Sequence, residues 1–212
     1  MKTERFTSPP FLEHTYLIWD EGTKQALILD PGGQESEVDQ AIAKHGLKLT
    51  AILNTHGHID HIARVAYFQK KYSIPFYIHK GDEPVVQAVN EYGAFFGMGQ
   101  IDVPKVDSYL SERQEFWVGP TTFKVLETPG HTPGGCAFYC VSEKIVLVGD
   151  LLFYLSVGRT DLPGGDFEQL AHSIRHKVYE LPEDTQVLSG HGEPTTVGYE
   201  KKNNPFVPEK SE

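Results

Sequence analysis

The chain is short of three things, and each shortage closes off a class of function. It holds two cysteines, Cys136 and Cys140, four residues apart in a strand-like run. They have no zinc-finger spacing and no third cysteine nearby, so neither a disulfide framework nor a thiolate metal site is expected. They read as small apolar residues of a strand. Cations are also scarce: 19 Lys and Arg against 29 Asp and Glu leave a formal net charge of −10. Binding a phosphate backbone needs a basic surface, so nucleic acid is not expected as a partner. An anionic substrate would have to be met by individually placed cations. Finally, no apolar run approaches the length that spans a bilayer. Met1 to Pro10 carries Lys2 and Arg5 without an apolar segment behind them, so neither a membrane partner nor a secretory leader is expected, and a cytoplasmic location follows. No internal repeat or low-complexity linker divides the 212 residues, and a single domain over 1–212 is expected.

What the chain does have is concentrated in Thr55-His56-Gly57-His58-Ile59-Asp60-His61, with three histidines and a carboxylate in six consecutive positions. Imidazole and carboxylate together suit Zn²⁺, Fe²⁺ or Mn²⁺. The run Leu49 to Leu53 reads as a strand and Ile62 to Tyr72 as a helix, which puts these residues on a strand-to-helix turn, a common place for sites. Such a turn can place His56 and His58 on one metal and aim Asp60 and His61 at a second position beside it. The metal-free alternative, in which Asp60 merely caps the helix, leaves three clustered histidines without a reason.

Around this turn the pattern is mixed. Thr15–Trp19 and Gln25–Leu29 read as a hairpin across a polar turn, Asp30-Pro31-Gly32-Gly33 punctuates sharply, and Glu35–His45 carries helical spacing stopped by Gly46. Ile74–Ile78 reads as a strand and Glu83–Tyr92 as a helix, whereas Gly93 to Gly99 has no single period. Thr122–Glu127, Cys136–Val141 and Ile145–Val148 read as strands, Leu170–Leu181 as a helix, Gln186–Leu188 as a strand, and the tail from Lys201 as largely polar. Two β-rich halves with flanking helices suggest two packed sheets covered by helices on the outside.

Three further residues stand where a strand runs into glycine or loop: His131 in Pro129-Gly130-His131-Thr132, Asp150 in Val148-Gly149-Asp150, and His191 in Ser189-Gly190-His191-Gly192. Singly, each reads more readily as an ordinary loop residue than as a ligand. Jointly they supply what the first loop lacks, because a binuclear site needs more ligands and a bridging carboxylate, for which Asp150 is the natural candidate. The adjoining glycines let the backbone turn sharply enough for side chains from different strands to converge.

With His-x-His-x-Asp-His followed in order by His, Asp and His, the chain resembles the metallo-β-lactamase superfamily over almost its whole length. The resemblance implies an α+β fold, an αββα sandwich of two mixed β-sheets flanked by helices, with the metals at one edge. It implies His56, His58 and His131 on one metal, Asp60, His61 and His191 on the other, and Asp150 between them. Asp30-Pro31-Gly32-Gly33, Gly158-Arg159-Thr160-Asp161 and Gly190 to Thr196, running on to Asn204-Pro205-Phe206, are most similar to the glyoxalase II group of hydroxyacylglutathione hydrolases and their short relatives. Asp150 stands where the best-known zinc β-lactamases carry cysteine, which counts against antibiotic degradation. Only 21 residues follow His191, so the C-terminal helical glutathione-binding domain of long glyoxalase II enzymes is expected to be missing.

The implied activity is hydrolysis of a small-molecule thioester such as S-lactoylglutathione with two divalent ions, zinc first and iron or manganese as alternatives. Water between two ions about 3.5 Å apart becomes hydroxide near neutral pH and can attack the carbonyl. Asp60 is the catalytic candidate, ligating the second metal and orienting that hydroxide. For the substrate, Arg159 is the candidate partner of a carboxylate and Tyr154 a stacking or hydrogen-bonding neighbour; Arg159 equally well braces its loop through Asp161 or Asp166. Arg64, where relatives often carry a small residue, is read either as a substrate contact or as facing solvent. Two alternatives share the fold: a persulfide dioxygenase with one iron on two histidines and the bridging-position aspartate, and a lactonase. The oligomeric state is not legible.

Overall fold

Strand alternation accounts for the layers, because successive side chains of a strand point to opposite faces. The computed structural model describes residues 1–209 except Phe96 and Met98, so part of the unpatterned Gly93 to Gly99 segment lies outside the described residues. One sheet holds β1 (Lys2–Ser8), β2 (Glu13–Trp19), β3 (Gln25–Leu29), β4 (Lys48–Leu53), β5 (Phe76–His79) and β6 (Ser108–Leu110) in that spatial order. The other draws on β7 (Glu115–Val118), β8 (Thr121–Glu127), β9 (Cys136–Cys140) and β10 (Ile145–Gly149), while β11 (Leu152–Phe153) and β12 (Ser156–Val157) form a separate small hairpin. With β13 (Gln186–Ser189) and β14 (Thr195–Thr196), the second sheet runs β14-β13-β10-β9-β8-β7.

Tyr16 and Ile18 of β2, Leu27 and Leu29 of β3, and Ala51 and Leu53 of β4 meet Cys136, Phe138, Cys140, Ile145 and Leu147 between the sheets. The intervening residues face outward. Leu17, Trp19, Ala26, Ile28 and Ile52 pack under α1 (Glu35–His45), α2 (Ile59–Ile62), α3 (Val65–Tyr72), α4 (Glu83–Gln87) and α5 (Val89–Phe95). On the far side, Ala137, Tyr139, Val146 and Val148 pack under α6 (Phe167–Ser173), its π-helical continuation Ile174–Val178, and α7 (Val197–Asn203). The result is the expected αββα sandwich of two mixed sheets. Both cysteines belong to the inter-sheet core as buried free thiols. Among the described residues no helix is long and apolar enough to cross a membrane.

The departures from the sequence reading are local. The helix expected from Ile62 to Tyr72 is two helices, because Arg64 leaves helical geometry (φ −116°, ψ 5°) and its N–H donates to Pro31 O at 2.9 Å. Glu83–Tyr92 is likewise broken at Ala88, with φ −87° and ψ 4°. The helix expected from Leu170 starts earlier, at Phe167, where Asp166 caps it by accepting from Gln169 N at 3.0 Å. Strand β1 was not expected, since it is an edge strand whose side chains are mostly polar and only one of which is buried. Helix α7 was not expected either; it is capped by Thr196.

Parallel pairing of β3 with β4 and of β10 with β13 sets four strand C-terminal ends along one edge of the sandwich, the customary location of sites in such sheets. Phe138 is fully buried at the centre of the inter-sheet layer. Phe138→Ala is therefore expected to cost about 3–5 kcal/mol in guanidinium unfolding of the metal-free protein; a loss below about 1 kcal/mol would contradict this packing.

Candidate metal centre

The turn after β4 is shaped by two fixed contacts. Asn54 Nδ2 donates to His61 O at 2.9 Å and closes the turn. Asp30, at the end of β3, accepts from Thr55 N at 2.7 Å and from Thr55 Oγ1 at 2.6 Å. The same Asp30 carboxylate lies 3.1 Å from His61 Nδ1, and Thr55 Oγ1 lies 3.0 Å from His56 Nδ1. Each of these imidazoles thus has Nδ1 set against a protein oxygen, by a hydrogen bond at His56 and by charge proximity without an aligned hydrogen bond at His61, which orients the ring and leaves the other nitrogen for a metal. His131 Nδ1 is engaged in the same way by Arg159 O at 2.7 Å, and His191 Nδ1 by Phe11 O at 3.0 Å.

The remaining residues arrive from the second sheet. His131 sits in the β8–β9 loop, Asp150 directly after β10 and His191 directly after β13. Glycine is required beside them for two different reasons. Gly149 has φ 53°, and a Cβ there would lie 2.2 Å from Thr55 Oγ1; at Gly190 the obstacle is the centre itself, with a Cβ 2.3 Å from Asp150 Oδ1 and 2.6 Å from His61 Cε1.

All seven residues singled out from the sequence come together. Their donor atoms form three overlapping groups, His56/His58/His131, His56/His61/Asp150 and Asp60/His61/His191, each within 4.8 Å. His58 Nδ1 is 2.9 Å from His131 Nε2. Asp150 lies between the two ends: its Oδ2 is 3.7 Å from His131 Nε2 and 3.5 Å from His191 Nε2, and its Oδ1 is 3.3 Å from His61 Nε2. Asp60 Oδ2 is 3.4 Å from His191 Nε2. His56 Nε2, His61 Nε2 and Asp150 Oδ1 are buried without a hydrogen bond, a costly state for polar atoms unless something else binds them. This nitrogen-and-oxygen donor set fits divalent cations.

Electrostatics divides the centre in two. Burial, reinforced by the neighbouring His61, His131 and His58, keeps His56 well below the usual imidazole range. Burial and His131 bring His58 down to about 4. These rings are neutral, with lone pairs available. At the other end burial again disfavours charge, but it is outweighed: hydrogen bonds that His191 donates to the Asp150 and Asp60 carboxylates raise it to about 10, and Asp150 and Asp60 raise His61. Burial would raise the Asp150 carboxyl, yet His61 and His191 hold it well below the carboxylate range. The half-buried Asp60 and Asp150 carboxylates thus concentrate negative charge beside these two imidazoles.

Three residues near the centre were given no role from the sequence. Asp30 had a signal, since it opens the Asp-Pro-Gly-Gly punctuation at a strand end. Asp82, fully buried at the end of the 3₁₀ turn Lys80–Asp82, had none. It accepts from Gly57 N at 2.8 Å, between His56 and His58, and from Thr132 Oγ1 at 2.8 Å and Gly134 N at 2.6 Å, next to His131. One carboxylate therefore ties together the two loops that carry the first histidine group. Glu13 is fully buried and bridged to His191 through the backbone, and burial pushes its carboxyl well up.

A cleft of about 220 Å³ opens over the centre, lined by His58, Asp60, His131, Asp150 and His191 together with apolar residues and Arg159. The substrate candidates fare differently. Arg159 lines the cleft, but its guanidinium is bidentate to Asp161, at 2.7 and 2.8 Å, so the bracing alternative is the one observed. Tyr154 is not among the described lining residues; at the tip of the β11–β12 hairpin it stacks on Tyr199 of α7, with ring centroids 5.4 Å apart. Arg64 ion-pairs with Glu35 at 2.9 Å, away from the cleft.

A two-sheet sandwich carrying a histidine and aspartate cluster of this kind at its edge defines a metal-dependent hydrolase. The family model described as the Metallo-beta-lactamase superfamily matches residues 8–191, and the chain belongs to that superfamily. Hydroxyacylglutathione hydrolase GloC of Haemophilus influenzae is 35% identical over the full length of both chains. Among solved structures, BLEG-1 B3 metallo-beta-lactamase is 36% identical with a TM-score of 0.89, covering 97% of this chain and 99% of that one. TTHA1623, in a di-iron-bound form, is 36% identical with a TM-score of 0.87, covering 96% and 100%.

Because Asp82 holds both loops of the first histidine group, Asp82→Ala is expected to weaken metal binding about 10–100-fold in chelator competition, with the far-UV circular dichroism of the sandwich retained. Unchanged metal affinity in a folded Asp82→Ala protein would remove this role.

Proposed function

We propose that the protein hydrolyses thioesters, S-lactoylglutathione or a related hydroxyacylglutathione, with two divalent ions, zinc first and iron or manganese as alternatives. The observation that carries the binuclear part is the placing of Asp150, within 3.7 Å of His131 and within 3.5 Å of both His61 and His191. Asp60, His61 and His191 offer a second group of donors beside the first, and a single-metal site leaves that group unused. The thioester part draws on the full-length similarity to GloC.

In this reading His56, His58 and His131 would hold one ion and Asp60, His61 and His191 the other, with Asp150 available to either. The ions, when bound, lower the pKa of water toward neutrality and act as Lewis acids toward a carbonyl. Asp60, partly exposed and lining the cleft, accepts a hydrogen bond from the attacking water and fixes its direction. Asp30 and Thr55 hold the His61 and His56 rings, and Asp82 holds the two loops in register. As the carbon–sulfur bond breaks, the sulfur leaves as a thiolate, so no strong general acid is needed to protonate it.

Metal content per chain, thioester hydrolysis and oxygen uptake on glutathione persulfide, measured on one preparation, test the proposal. Near two metals with S-lactoylglutathione turnover supports it. One iron with oxygen uptake would indicate the dioxygenase alternative, and turnover confined to lactones or β-lactams would move the substrate class. His58→Ala is expected to lose metal and at least about 100-fold in kcat/KM while keeping its circular dichroism; full activity in that variant would sink the assignment.

A further inference from the structure

We infer that the cleft selects thioesters by an apolar acyl group, seated against Val85, Val89, Ile59 and Leu162, while the thiol portion stays outside. The inference rests on the thioesterase reading, adds to it which half of the substrate the cleft measures, and moves the preferred acyl group from a hydroxyacyl to an unsubstituted one.

Four observations carry it. The cleft is small: about 220 Å³ is below the roughly 300 Å³ at which pockets begin to enclose drug-sized ligands, so it does not enclose a whole glutathione thioester. It is apolar beyond the centre, since the described lining apart from the histidines, the aspartates and Gly57 consists of aliphatic residues, Phe11, Pro163 and Arg159. That one cation is committed, with Arg159 Nε and Nη2 both on Asp161, so an anionic group entering the cleft finds no open guanidinium there. The wall is also held against the ligands. A Cβ on Gly57, between His56 and His58, would lie 3.3 Å from Val85 Cβ, which places Val85 directly over that loop. Arg159 O is bonded to His131 Nδ1 at 2.7 Å, which anchors the Arg159 to Pro163 segment and with it Leu162. A carbonyl placed at the centre therefore has its neighbouring carbons against these side chains. An added methylene gains there, and a hydroxyl loses its water without finding a fixed partner.

The test holds the thiol constant. With metal-loaded protein, kcat/KM is measured for the S-lactoyl, S-acetyl, S-butyryl and S-hexanoyl thioesters of glutathione. S-Butyryl is expected to exceed S-lactoyl by about tenfold, the discrimination a methylene-sized difference supports in an apolar pocket. Val85→Thr keeps the shape and adds a hydroxyl at a half-buried position; it should shrink the butyryl-to-lactoyl ratio to below about threefold at unchanged metal content. Leu162→Ala, also at a half-buried position, should do the same and serves if the first variant folds poorly. A wild-type ratio of one or less, or a ratio that neither variant moves, overturns the inference and leaves the thioesterase reading standing. If metal-loaded protein hydrolyses no thioester at all, that reading falls and this inference falls with it.

Discussion

The position of the Asp150 carboxylate, buried between two groups of imidazoles, is the constraint on which the rest of the structure depends. A buried carboxylate is costly unless charge of the opposite sign and hydrogen bonds surround it. Here one oxygen faces His61 and the other faces His131 and His191, residues that come from three separate places in the chain. Satisfying it requires the end of β10 to meet the turn after β4, the β8–β9 loop and the end of β13 at a single point. Two sheets packed face to face can do this, because their facing cores set the distance between strand ends.

Precision at that point comes from groups one step removed from the cluster. Asp30 grips Thr55 and His61 from the first sheet, and Thr55 passes the constraint to His56. Asp82 does the equivalent across the gap between sheets, with one oxygen on Gly57 and Thr132 and the other on Gly134. These buried carboxylates are satisfied by backbone and hydroxyl donors, whereas Asp150 is left with an oxygen that has no hydrogen bond. The contrast separates structural from reactive carboxylates: the first kind spends its acceptors on the protein, the second keeps one for something else.

The same distinction explains what was legible in the sequence. The seven clustered residues stood out because histidine and aspartate at such density, all but Asp60 and His61 beside glycine, have few other physical reasons to occur. The layers were legible because short, wholly apolar runs bounded by turns, such as Ile145 to Val148, read as strands covered on both faces, and their alternate residues do reach two apolar environments. Asp82 was not legible, since a lone aspartate after Lys80-Gly81 has the composition of any turn and its partners are 25, 50 and 52 residues away. Tyr154 was misplaced because α7 was not foreseen, and it is Tyr199 on that helix that draws the ring away. The unbroken helix from Ile62 failed because local propensity competes with a tertiary bond, Arg64 N to Pro31 O, that only the folded chain supplies.

That break in the helix bears on the chemistry. A continuous helix from Ile59 to Tyr72 would fix the direction of Asp60 and His61 by the packing of Val65 and Phe68 against the first sheet. Interrupting it at Ala63 and Arg64 lets the short α2 take its orientation from Asn54 and Asp30 at the centre, while α3 takes its own from the core. The penalty of one disrupted turn is offset by the bond to Pro31. In exchange, Asp60 can face the cleft while its neighbour His61 is completely buried against Asp30 and Asp150. Adjacent residues are thereby given opposite environments, one open to solvent and substrate and one closed, which a centre that must both retain ions and admit a ligand requires.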